Sequence, residues 1–143
     1  MTANVLEVKD RVQRLLVDFV GPVQVDSDGD FTFRMGSARV FIRVVPHGRD
    51  AQNTVVSIMS PTNLRVPPSP ELFRYVATTG YVFGDLMAIE REDGVYVHLS
   101  HNLLGDFLDP DELKWAVGAV ASTADDVDDE IHDKFGGSRF HEE

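Results

Sequence analysis

The chain has 143 residues, 43% hydrophobic and 26% charged, with a formal net charge of −11. Such a composition supports a buried core and excludes wholesale disorder, and the negative field disfavours nucleic acid or anionic lipid as partners. Cysteine is absent, which removes disulfides, thiol catalysis and thiolate metal sites together and agrees with a reducing cytoplasm.

The opening residues Met1 to Asp10 alternate in charge without a signal-type apolar core. No later stretch approaches the roughly 18 apolar residues of a membrane span. A soluble, unexported cytoplasmic protein is expected. Val5, Val8, Val12, Leu15, Leu16 and Phe19 recur at helical steps, which predicts a helix from Asn4 to Val20, stopped by Gly21-Pro22. Asp26-Ser27-Asp28-Gly29-Asp30 has the acids of a calcium loop but not its spacing. Counted from Asp26, glycine comes too early and Ser37 stands where the bidentate glutamate belongs, so a turn is expected.

Phe31 to Met35 and Ala38 to Pro46 alternate as strands around Gly36-Ser37, and Thr54 to Met59 resumes the pattern. Pro61, Pro67, Pro68 and Pro70 then argue against any continuous element through that segment. Ser69-Pro70 opens a short helix carrying Leu72, Phe73, Val76 and Ala77 and ending near Gly80. Leu86 to Glu90 and Gly94 to Ser100 form a hairpin around Asp93-Gly94. Asp109-Pro110 opens the last helix, whose apolar stripe is Leu113, Val117, Val120, Ala124, Val127, Ile131 and Phe135 and whose stop is Gly136-Gly137. The expected domain is residues 1–137, with 138–143 as a flexible tail.

No residue cluster fixes a chemistry. His98 and His101 suggest a metal pair completed by Asp106 and Asp109, the basis of an alternative reading as a metal-assisted hydrolase. On a strand, however, residues three apart point to opposite faces. Ser100, His101 and Asp106 lack the nucleophile elbow that would support a triad, and Gly80 to Gly84 lacks a phosphate-binding context. No catalytic residue, metal or cofactor is therefore assigned. Asp125, Asp126, Asp128, Asp129, Glu130 and Asp133 crowd the last helix. They form a solvated face or, in another alternative, the docking strip of a structural subunit in a larger assembly.

If Val40, Ile42, Val44, Val95, Val97 and Leu99 pack under helices, the opposite sheet face carries Arg34, Arg39, Phe41, Arg43, Met59, Tyr96 and His98. Arginine and aromatic residues are favoured at interfaces, so these are candidate partner-binding residues; a second helix over the aromatics would satisfy burial equally well. Leu72, Phe73 and Tyr75 spread around a helix too short to bury them all, and Trp115 lies off its helix stripe. Those four are the candidate contacts of a homodimer that uses the short helix, an outer strand or the Trp115 side.

Helix, three strands, helix, two strands, helix is the order found in type III secretion chaperones and YbjN-type proteins. Tyr96-Val97-His98-Leu99-Ser100, followed by Leu108-Asp109-Pro110-Asp111-Glu112-Leu113, resembles the YbjN-type junction, and Ile131 to Gly137 resembles that family's helix ending. The resemblance spans most of residues 4–137. It implies a non-enzymatic protein- or peptide-binding module, a chaperone or regulatory adaptor holding an extended segment of a partner. The fold expected is α+β, with a twisted, mainly antiparallel five-stranded sheet under the first and last helices. Its core should contain Val12, Leu16, Phe33, Ile42, Val97, Val117, Val120 and Ile131.

Overall fold

A computed structural model describes residues 3–49 and 53–143. Helix α1 (Ala3–Val20) is followed by β1 (Gln24–Val25), β2 (Phe31–Met35), β3 (Ala38–Pro46) and β4 (Thr54–Val66). Then come α2 (Pro70–Thr78), β5 (Asp85–Arg91), β6 (Gly94–Leu104), α3 (Pro110–Phe135), β7 (Ser138–Arg139) and a closing 3-10 turn, Phe140–Glu142. The strands form one antiparallel sheet in the order β1-β2-β3-β4-β6-β5, with β7 on β4. The α+β class holds, with seven strands among the described residues rather than five because β1 and β7 are added.

The amphipathic helices bury the stripes their periodicity indicated. Val5, Val12 and Leu16 of α1 and Leu113, Val117, Val120 and Ile131 of α3 are fully enclosed. They meet Ile42, Ile58, Val95, Val97 and Leu99 on the inner sheet face, and every residue of the expected core is buried. Both later helices start on a side-chain cap followed by proline. Ser69 accepts from the Leu72 amide, and Asp109 accepts from the amides of Asp111 and Glu112, satisfying donors that the first turn leaves open. No helix of the described residues is long and apolar enough to cross a membrane.

Two expectations are corrected. The prolines do not end β4 at Met59, for the strand runs through Pro61 to Val66. Its pairing with β6 shifts register between Pro61 and Asn63 and again between Asn63 and Val66, and such bulges are where a strand tolerates proline. The Thr62 hydroxyl donates to the Val97 carbonyl at 3.1 Å. Beyond it Arg65 adopts φ 52°, the one non-glycine residue with positive φ among those described. Gly94 makes this possible: a Cβ there would lie 2.7 Å from the Arg65 Cα.

The tail is the second correction. Residues 138–143 were expected to fray, but Ser138 pairs with Leu64 and Arg139 with Asn63. The consecutive glycines Gly136 and Gly137 take φ 84° and 77°, which turns the chain back from α3 onto β4. A backbone pairing of this kind leaves no periodic signature in the tail's own sequence.

Candidate functional site: the outer face of the sheet

Strand alternation places one set of side chains opposite the helices, and the registers give its layout. Phe41 stands across from Met59, and Met59 across from Ser100. Pro61 faces His98, His98 faces Met87, and Tyr96 faces Ile89. Cross-strand partners share a face, so Phe41, Met59, Tyr96 and His98 do lie together, half-buried. Neither α1 nor α3 covers them, since both pack on the other side against the buried valines and isoleucines. The closing turn reaches this face through Phe140, whose ring meets that of Phe41 edge-on at 6.4 Å.

Met87 and Ile89, 52% and 37% exposed, extend the apolar surface onto edge strand β5. Sequence reasoning did not include them, although their alternation with the inward Leu86 and Ala88 was available to read.

The arginines divide differently from the expectation. Arg43 grips Asp30 through two hydrogen bonds of 2.9 and 2.7 Å, so its charge is matched within the chain. Arg34 and Arg39 pair across β2 and β3, and Arg39 also reaches the Thr32 hydroxyl at 3.5 Å. Positive charge thus sits at one end of the face, beside an apolar middle. Burial lowers the pKa of His98, which favours its neutral form and adds to that apolar character.

The residues of the hydrolase alternative do not converge. His98 lies on the outer face, whereas His101 pairs with the inward Ile58 and packs its ring 5.5 Å from Phe83. Asp106 accepts from the Asn4 side-chain amide at 2.6 Å and from the Thr54 amide and hydroxyl at 3.0 and 3.2 Å. Asp109 is occupied as the cap of α3. Among the described residues the one group of three potential metal ligands is Asp26, Asp28 and Asp30. There the Asp26 carboxylate accepts from the amides of Asp28 and Asp30, while Asp30 is engaged by Arg43. Those contacts are the chemistry of a turn.

The acids of α3 are mostly turned to internal work as well. Asp125 accepts from the Ser37 hydroxyl, Asp129 from Arg139 at 2.7 Å and Glu130 from Lys134 at 2.8 Å. Asp128 is buried and lies 3.4 Å from the His141 imidazole. Asp126, Asp129, Glu130 and Asp133 are exposed, and of these Asp129 and Glu130 are already matched by Arg139 and Lys134.

Of the dimer candidates, Leu72 is fully buried in the core. Phe73 packs partly against the core, and Tyr75 sets its ring edge-on to Phe135 at 5.6 Å. The end of α3 meets this helix through Phe135 and Lys134, both against the Tyr75 ring. Trp115 alone of the four is open, 71% exposed above the small residues Gly118, Ala119 and Ser122.

Among the described residues, three α-helices and an antiparallel sheet whose outer face neither α1 nor α3 covers define an α+β protein of the secretion-chaperone class. The family model described as T3SS (YopN, CesT) and YbjN peptide-binding chaperone 1, TY-Chap1, matches residues 7–143, and the chain belongs to that family. It is similar in structure to the Yersinia pestis type III secretion chaperone SycH, solved in complex with a stable fragment of YscM2. That match has 9% identity and a TM-score of 0.56 over 82% of this chain and 98% of the other. A chain of the ExsC-ExsE complex matches with 18% identity and a TM-score of 0.61, covering 84% of this chain and 92% of that one. At such identities the likeness carries the fold alone. No curated protein matches the chain in sequence.

Proposed function

We propose that this peptide-binding chaperone holds an extended segment of a partner protein against the outer face of its sheet, in the cytoplasm and without catalysing a reaction. The observation that carries this reading is the joined surface of Phe41, Met59, Met87, Ile89, Tyr96 and His98, which neither long helix covers. Extended segments suit such a surface because alternate side chains of the ligand can enter it at the strand repeat. Arg34 and Arg39 at one end would set direction by favouring an acid on the partner.

The test compares the chain with its Met59→Glu and Tyr96→Ala variants as bait in one native lysate, after checking that each melts cooperatively. A protein retained by the unaltered chain and released by both variants supports the reading. Equal retention by all three would refute it. A second copy of the chain is proposed to meet the Trp115 side of α3, since a tryptophan this open beside small residues offers both an anchor and room for close approach.

A further inference from the structure

Strand β3 pairs with β4 from Pro46 opposite Thr54 to Phe41 opposite Met59 and then diverges. Past that point the freed edge of β4 is occupied by β7, through Asn63 with Arg139 and Leu64 with Ser138. We propose that this edge of β4 is a strand-addition site for a partner segment of basic-then-aromatic sequence, and that residues 138–143 are its tethered, displaceable occupant. The inference rests on the outer face being where a partner binds, because the seat includes Phe41.

The resident segment defines the chemistry of the seat. Arg139 donates to Asp129 at 2.7 Å, Phe140 sets its ring against Phe41 at 6.4 Å, and His141 lies 3.4 Å from Asp128. One end of α3 therefore supplies two carboxylates and β3 supplies an aromatic platform, an arrangement that takes a cation followed by a ring. The net charge of −11 draws a basic segment in the same direction.

The hold on the tail is slight. Its backbone pairing is two residues long, and the closing turn contains no buried residue. Arg65 adds contacts to Ser138 and to Glu143, but these groups are exposed, and exposed pairs contribute about 1 kcal/mol or less each. Gly136 and Gly137, both at positive φ, join the segment to the end of α3. What keeps it seated is its tether, which supplies an effective concentration on the order of millimolar. A free segment of like chemistry must outcompete that, and a partner that also engages Met59 and Tyr96 has the additional surface to do so.

The probe is a fluorescently labelled peptide of this chain's own residues 137–143, titrated by anisotropy into the full-length protein and into the full-length Arg139→Glu/Phe140→Ala variant. The variant should bind the peptide saturably and at least about tenfold more tightly than the unaltered chain, whose tail competes. The same peptide carrying Phe140→Ala should bind neither. Equal binding to both proteins, or none to the variant while its circular dichroism stays native, overturns the proposal. Hydrogen exchange on the unaltered chain gives a second reading that no substitution can confound. The amides of residues 138–140 should exchange at least about a hundredfold faster than that of Ile58, and equal rates would show the tail to be a fixed part of the fold. Loss of the outer-face reading through the Met59 variant would leave both of these measurements standing on their own.

Discussion

Replacing Asp128 with asparagine should stabilise the chain at neutral pH and change little in acid. The side chain is 7% exposed, and its pKa is raised from 3.8 to about 6. Burial is the main cause, reinforced by the neighbouring charges of Asp129 and Asp125 and opposed by His141. The sign follows directly. Between pH 4 and 6 the folded state keeps a proton that the unfolded chain has released, so this contribution to stability is full below about 3.8 and lost as pH rises through about 6. A difference of about two pH units at 1.36 kcal/mol each makes the ionised carboxylate destabilising by about 3 kcal/mol at pH 7.5. The attraction of His141 is already contained in the raised pKa, so asparagine removes the charge and its net cost together. The expectation is a gain of about 3 kcal/mol at pH 7.5 that disappears at pH 4. Urea denaturation of both proteins at the two pH values, with equal m-values, measures it. A variant less stable than the parent at pH 7.5, or a difference independent of pH, would refute the reasoning. A carboxylate kept in so unfavourable a place accords with a role in seating the tail.

Gly94→Ala should destabilise by more than about 2 kcal/mol, since the residue has φ 138° and a Cβ would press on the Arg65 backbone; a melting curve close to the parent's would contradict this. Asp106→Ala strips hydrogen-bond partners from the Thr54 amide and hydroxyl and should cost about 2 to 4 kcal/mol in urea. Trp115→Glu, at an exposed position, should leave stability within about 0.5 kcal/mol while converting a dimer into a monomer in sedimentation at micromolar concentration. A monomeric parent under those conditions would dispose of the proposed second copy.

Local physics made the helices and most strand positions legible. The stripe from Val5 to Phe19, the Ser69-Pro70 and Asp109-Pro110 caps and the Asp93-Gly94 reversal each act over a few residues. Their order was enough to reveal the resemblance to the secretion and YbjN-type chaperones. Strand alternation likewise put Phe41, Met59, Tyr96 and His98 on one face and separated His98 from His101. Only the tertiary structure decided where long-range partners intervene. Pro61 stays in β4 because bulges against β6 absorb its missing donor, and the Tyr75 ring is covered because Phe135 at the end of α3 meets it. The tail is docked because β3 leaves an edge of β4 free, and Asp125, Asp129 and Asp128 of α3 face Ser37, Arg139 and His141. Periodicity and capping are written within a single turn or strand, whereas a proline's neighbour, an edge's occupant and a carboxylate's partner lie tens of residues away and exist only once the chain has closed.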